Sequence, residues 1–129
     1  MRLLSVLLVV ILVLVGCGRV DVDELPGTYF VEYEFGSEML SLERDGEYVQ
    51  YVTVGDSSTL HRGRWSYDSD SRAVILVDAL LARGDFGTLN PSWRSPAKGR
   101  TIRSAHRWFF WSPLTLGVDE ERRFRKISE

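Results

Sequence analysis

Short runs of alternating apolar and polar residues, separated by turn residues, dominate the sequence from Gly27 to Leu80. In the first run Tyr29, Val31 and Tyr33 alternate with Thr28, Glu32 and Glu34, with Phe30 as the one exception. This period of two characterises a half-buried strand. Turn signals interrupt the pattern roughly every 8–12 residues. This spacing is typical of short antiparallel strands that form a sandwich or close into a barrel.

Six strands can be assigned from the pattern. The dipeptide Asp45-Gly46 predicts a tight hairpin, because glycine accepts the positive φ that primed turns require. The predicted strands are Gly27–Phe35, Met39–Leu42, Tyr48–Val54, Leu60–Tyr67, Ala73–Leu80 and Arg122–Ile127. We therefore expect an all-β domain, a small antiparallel meander barrel or sandwich of about seven to eight strands. The residues expected in its core are Tyr29, Leu40, Leu42, Trp65, Leu76 and Phe124.

A glycine-led segment occurs twice within these strands. Gly27–Tyr29 recurs as Gly63–Trp65, and a leucine follows thirteen residues after each glycine, at Leu40 and at Leu76. Over residues 25–80 the pattern resembles the calycin or lipocalin-like group, whose first strand carries a Gly-x-Trp motif, with tyrosine here in the place of tryptophan. The resemblance implies a small β-barrel with an apolar ligand cavity.

The first sixteen residues have the composition of an export signal. Arg2 supplies a short positive region, and Leu3–Val15 is apolar except for Ser5. A run of this length fits the roughly 7–15 residues of a secretory signal and falls short of the roughly 20 that a membrane-spanning helix needs. Residues 1–16 are therefore expected to be a signal peptide that is removed.

The segment Leu14–Cys17 resembles the lipobox of bacterial lipoproteins, in which an aliphatic residue and small residues precede an invariant cysteine. The resemblance implies that Cys17, the only cysteine of the chain, receives a diacylglycerol and, after cleavage, a further acyl chain such as palmitate. It also implies a lipid-anchored location in the cell envelope, at the outer membrane in a cell with two membranes, because Gly18 follows the cysteine. Residues 17–24 would be a lipidated tether, and 25–129 a single β domain.

Basic and acidic residues are distributed unevenly. Residues 17–85 hold 6 basic and 14 acidic groups, whereas residues 86–118 hold 5 basic groups and no acidic one. Residues 84–106 contain several glycines and prolines and show no sustained period, so they are expected to form a long basic loop. The binding residues proposed on and beside this loop are Trp93, Arg94, Lys98, Arg100, Arg103 and Arg107.

Two interpretations of this basic region remain open, and they differ in the role of the aromatic run Trp108–Trp111 that follows it. In the first, the run is a central strand that is buried on both faces. In the second, it belongs to a basic and aromatic rim that contacts an anionic lipid, an envelope polymer or a protein.

Sequence motifs for catalysis, phosphate binding and dinucleotide binding are absent. His61 and His106 lie forty-five residues apart, with no carboxylate at motif spacing. We expect neither an enzyme nor a cofactor, a metal site or nucleic-acid binding. The expected function is a non-enzymatic envelope lipoprotein that binds a partner or a surface. The alternative is a lipocalin-like carrier of a small apolar ligand, which a hollow barrel would favour and a filled barrel would not.

Overall fold

A computed structural model describes residues 4–6, 10, 20–84, 87–107, 112–117 and 123–129. Eight antiparallel strands follow a short 3-10 helix and close into a barrel in which each strand pairs with its neighbours in sequence. The elements are the 3-10 helix Val22–Glu24 and the strands β1 (Gly27–Tyr33), β2 (Gly36–Leu42), β3 (Glu47–Val54), β4 (Ser57–Asp68), β5 (Ala73–Val77), β6 (Arg100–His106), β7 (Thr115–Gly117) and β8 (Arg123–Ser128). The all-β prediction is confirmed, and the architecture is a barrel.

The meander places its connections alternately at two ends of the barrel. The 3-10 helix, the β2–β3 hairpin and the β4–β5 turn lie at one end, which we call the N-terminal end. The β1–β2 turn, the β3–β4 turn and the long β5–β6 connection lie at the other end. We call the described part of this connection, residues 78–84 and 87–99, the lid, and its end of the barrel the lid end. No helix of the described chain is long and apolar enough to cross a membrane.

In the described residues, inward side chains of β1, β2, β3 and β5 pack into a common buried core, while the inward side chains of β4 are half-buried. Among the six predicted core residues, Trp65 is half-buried and the other five are buried. Tyr29 and Tyr48 are the largest side chains with no accessible surface, so no water-sized space adjoins either ring. At Gly63 a Cβ would lie 2.5 Å from the ring of Tyr48, so the glycine is what lets this ring cross beneath β4.

The lid is a folded loop that is closed at its base. The Asp78 N–H donates to the Gly99 carbonyl, and the Gly99 N–H donates to Oδ1 of Asp78, each at 2.8 Å. The Ala97 N–H donates to the Ala79 carbonyl at 2.9 Å. A second hydrophobic cluster joins β3 to the lid through Val52, Leu80, Ala82 and Trp93. The lid therefore packs as a plug on its end of the barrel.

Residues 84–106 were predicted to be one long loop, and this prediction is wrong for their C-terminal part. Residues 100–106 form β6, which pairs with β5 and β7. The strand was missed because its apolar and polar residues are inverted: Ile102 is exposed on the outer face, while Thr101 and Arg103 share the less exposed face with Ala105. The short strand β7 (Thr115–Gly117) was also missed.

The predicted tether 17–24 is shorter than expected, because the chain packs on the barrel from Val20 onward. Val20 is buried in the main core, and its carbonyl accepts a hydrogen bond from the hydroxyl of Tyr67 at 3.1 Å. Nζ of Lys126 donates to the Glu24 carbonyl at 2.6 Å. Cys17 and the aromatic run 108–111 lie outside the described residues.

Replacement of Leu76 by alanine tests the core. Leu76 is 1% exposed, so Leu76→Ala leaves a cavity and is expected to lower the free energy of unfolding by about 2–5 kcal/mol, measured by urea denaturation. The matched control is Leu60→Ala on the outer face of β4, where the expected change is within about 0.5 kcal/mol. Equal losses in the two variants would contradict the inward placement of Leu76.

Candidate functional site

A polar cluster lies inside the barrel where β2 and β3 meet the lid. Gln50 has no accessible surface, and Glu38 is 2% exposed. Nε2 of Gln50 donates to the carbonyl of Leu80 at 2.7 Å, and the Leu80 N–H donates to Oε1 of Gln50 at 2.8 Å. Nε2 of Gln50 also donates to Oε1 of Glu38. One buried amide therefore joins the lid backbone to the acid in the barrel wall.

The strand register explains why these polar groups face inward. Leu40 is the cross-strand partner of Gln50, and Val52 is the partner of Glu38. Paired residues of antiparallel strands point to the same face of the sheet, and both leucine and valine belong to buried clusters. Glu38 and Gln50 therefore share the inner face with apolar neighbours, and each needs a hydrogen-bond partner there.

Burial raises the pKa of the Glu38 carboxyl, because an ionised carboxylate loses its hydration inside the barrel. The positive charge of Arg103 lowers this pKa, as do hydrogen bonds from Gln50 and Tyr33, but burial has the larger effect. The Tyr33 hydroxyl donates to Oε2 of Glu38 at 3.1 Å. The same burial, together with the nearby carboxyl, raises the pKa of Tyr33. Burial in the cluster thus disfavours the ionised form of both side chains.

Arg103 completes this polar cluster and does not lie on an exposed rim. It is partly buried, its charge acts on both Glu38 and Tyr33, and its Cζ lies 5.8 Å from the ring centre of Phe124. Its Nε is buried and has no hydrogen-bond partner in the part of the chain that the structure describes. The prediction that Arg103 projects with the other basic residues is therefore wrong.

The remaining binding candidates are separated by the fold. Trp93 is 7% exposed and belongs to the cluster that holds the lid, so it is not a free interfacial aromatic. Arg107 lies near the N-terminal end, where its Nη1 forms a 3.0 Å salt bridge with Oε2 of Glu24. Arg94, Lys98 and Arg100 are exposed, the first two on the lid and Arg100 at the start of β6. The predicted rim is thus reduced to three basic residues.

The two histidines are placed apart. His61 faces inward from the part of β4 nearest the lid end, with its ring centre 6.0 Å from that of Tyr48. His106 is exposed at the end of β6, near the N-terminal end of the barrel. The structure therefore does not bring them together as a metal pair or a catalytic pair. What the polar cluster can do chemically is hold the lid closed and keep water away from Glu38.

Sequence analysis missed Glu38 and Gln50, although a signal for both was present. Glu38 is in phase with Leu40 and Leu42 along β2, and Gln50 is in phase with Tyr48 along β3. In an alternating strand, a polar residue in the apolar phase indicates a buried polar group with a specific partner. What the sequence alone did not provide was that partner, since it comes from the lid.

Comparison with known proteins gave no relative. No family model matches the chain, and no match was found among curated proteins or solved structures. What the two resemblances imply, that of Gly27–Tyr29 to the calycin motif and that of Leu14–Cys17 to a lipobox, therefore remains a prediction from the sequence.

The pH dependence of stability tests the buried acid. Burial raises the pKa of Glu38 above its ordinary value of 4.5, so the folded chain holds this proton more tightly than the unfolded chain. Stability is therefore lost as the pH rises from about 4.5 through the raised pKa. Glu38→Gln, which imitates the protonated form, should not show this loss, and its advantage over the wild type should grow with pH in urea denaturation.

The control for this experiment is Glu47→Gln, which changes an exposed carboxyl on β3. Its difference from the wild type should stay nearly constant over the same pH range. An equally constant difference for Glu38→Gln would show that the Glu38 carboxyl titrates like a solvated one.

Proposed function

We propose that the chain is a lipid-anchored lipoprotein of the bacterial cell envelope, without enzymatic activity, that binds a partner at the end of the barrel remote from its anchor. The export signal and the lipobox-like segment Leu14–Cys17 support the anchor. The observation that carries the second part is the opposite placement of the N-terminus and the lid.

The short distance along the chain between the proposed anchor and the barrel supports this orientation. Val20 is buried against the core, and it follows Cys17 by three residues. Three residues span at most about 11 Å. In the anchored state, the N-terminal end of the barrel therefore faces the membrane and the lid faces away from it.

The exposed basic residues of the lid end are consequently out of reach of the anchoring membrane. The eight residues of β3 rise about 3.3 Å each, which gives roughly 20 Å along the barrel axis at a strand tilt of about 40°. This distance exceeds the Debye length of about 8 Å at physiological ionic strength. Arg94, Lys98 and Arg100 therefore serve an anionic partner in the surrounding compartment and not the lipid surface of the anchor.

The filled interior supports a binding module over a ligand carrier. Tyr29, Tyr48 and Leu40 have no accessible surface, and the lid covers its end of the barrel with Leu80 and Trp93. A carrier of an apolar molecule needs a preformed apolar cavity of several hundred Å³. These side chains occupy the space where such a ligand would lie.

Replacement of the cysteine tests the anchor. In a bacterial host, Cys17→Ser is expected to abolish lipidation, to leave an uncleaved precursor or release unlipidated protein, and to shift the chain out of the lipid-modified fraction, because the thioether needs the sulfur. Mass spectrometry of the wild-type chain should show an acylated N-terminal cysteine. A wild-type chain with an intact Met1 and a free thiol would refute the anchor.

Vesicle binding tests the orientation. The lipidated protein is inserted into vesicles that contain anionic lipid, and its dissociation is compared with that of a variant carrying Arg94→Glu and Arg100→Glu. We expect equal dissociation at low and at physiological salt, because the lid end lies beyond electrostatic reach of the surface. Faster, salt-dependent dissociation of the variant would place the lid end on the membrane instead.

A further inference from the structure

Strand β4 is longer than the strand that follows it, and this leaves part of its edge open. Residues 57–64 of β4 pair with β3, but only residues 65–68 pair with β5. Residues 57–63, which we call the β4 edge, therefore have a neighbouring strand on one side only. On their other side the barrel has a notch between β4 and the base of the lid.

The notch exists because the chain leaves the sheet directly after β5 and no longer runs beside β4. Continued pairing would place Asp78 opposite Gly63, but Asp78 has a φ of 52° and leaves the sheet. Its two hydrogen bonds with Gly99 fix this departure. The hydroxyl of Tyr48 passes beneath Gly63 and holds the Val77 carbonyl at 2.7 Å. The open edge is thus built into the barrel by several independent contacts.

The β4 edge is exposed in the described part of the chain. None of the backbone hydrogen bonds made by the described loops and turns reaches residues 57–63. Ser58, Leu60 and Arg62 on its outer face are all exposed, and Leu60 is 57% exposed. A strand edge of this kind presents unpaired N–H and C=O groups that can pair with another extended chain.

The side chains along the notch define what such a chain would carry. Met39, Tyr51 and Leu60 are neighbours across three strands on the outer face, and Leu60 lies at the notch end of this row. All three are large hydrophobic residues with exposed side chains. Arg62 makes no side-chain hydrogen bond or salt bridge within the described residues. Arg64 faces Glu47 across the sheet, also without a salt bridge.

A third arginine lies across the notch from these two. Arg100 is exposed and pairs with Val77, the last residue of β5. Lys98 precedes Gly99, whose bonds to Asp78 form the base of the lid. Asp78 is exposed, and its Oδ1 accepts a hydrogen bond from the Gly99 N–H, so it adds one negative charge at the base of the lid. The β4 side of the notch is therefore basic and has one apolar position, Leu60.

We propose that the β4 edge binds an extended acidic segment of a partner protein by β-strand addition. The main chain of the segment pairs with residues 57–63, an apolar side chain lies beside Leu60, and carboxylates lie beside Arg62 and Arg64. This inference deepens the proposed binding function by naming the partner and the mode, and the strand addition itself does not depend on the lipid anchor.

A second copy of the chain fits this edge less well than another protein does. Antiparallel pairing of two β4 edges would require a two-fold axis perpendicular to the sheet. Such an axis reverses the direction of the barrel, so the two N-terminal ends would face opposite ways. Two chains that are anchored three residues before Val20 in one membrane do not meet in that orientation.

The first measurement is amide hydrogen exchange on the free, full chain in detergent. If the edge is open, every second amide of residues 57–63 should exchange rapidly, and the amides that face β3 should be protected. The exchange should not change with protein concentration. Protection of all amides in the free protein would show that the chain covers its own edge, and protection that grows with concentration would assign the edge to a second copy. Either result overturns the proposal.

The second measurement uses a defined probe, the capped heptapeptide acetyl-Glu-Thr-Glu-Thr-Val-Thr-Thr-amide, and follows its binding by titration calorimetry and by amide exchange at residues 57–63. We expect it to bind, to protect the edge amides and to weaken with salt. Arg62→Glu should weaken binding about tenfold, because an attraction becomes a repulsion. The matched control, Arg44→Glu, changes an exposed arginine of the β2–β3 hairpin and should bind as the wild type does.

Two control peptides separate strand addition from simple charge attraction. Replacement of the glutamates by lysines should abolish binding, and N-methylation of alternate amides should abolish it with the charges unchanged. Equal binding of the N-methylated peptide would overturn strand addition. The Cys17→Ser chain should bind the probe like the wild type, so loss of the anchor and loss of the edge site are read separately.

Discussion

The paired hydrogen bonds between the side chain of Gln50 and the backbone of Leu80 are the contact on which the rest of the architecture depends. An amide can donate and accept at once, so the Gln50 side chain satisfies both the N–H and the C=O of Leu80, a residue that has left the sheet. An apolar residue at this place would leave two buried backbone groups unpaired, at about 1–3 kcal/mol each. The lid crosses the barrel mouth at this point, and Trp93 packs in the same buried cluster as Leu80.

The same contact links the lid to the ionisation of Glu38. Gln50 uses its side-chain nitrogen both for the lid and for the carboxyl, while Tyr33 holds the other oxygen. The closed lid excludes water, and the loss of hydration raises the pKa of the acid. By linkage, ionisation of Glu38 must disfavour the closed lid to the same extent. Arg103 limits this effect, because its charge reaches the carboxyl from the opposite wall.

Strands β1 to β5 could be predicted from the sequence because their inward residues are apolar, as in the phase of Leu40 and Leu42. Strand β6 could not, because Arg103 faces inward and Ile102 faces outward, so the pattern reads as a loop. The basic and aromatic composition of the loop predicts a Trp93 that is exposed for binding. Composition does not show whether an aromatic side chain of a loop points to solvent or packs on the barrel. Gln50 shows most clearly what sequence analysis cannot provide. A polar residue at an inward position of a strand can be assigned a role only when its distant hydrogen-bond partner is known.

In the proposed binding mode, the open edge and the basic side chains act together on an extended acidic segment. Main-chain pairing along residues 57–63 provides affinity with little demand on sequence, and the charges of Arg62 and Arg100 select acidic segments and speed their encounter. An exposed strand edge is normally a liability for aggregation, and charged residues are one of the devices that restrain it. Here the arginines restrain self-association, because they repel a second basic edge, and they also attract an acidic segment. In this binding mode, the sign of charge therefore disfavours association of the notch with a second copy and favours an acidic partner.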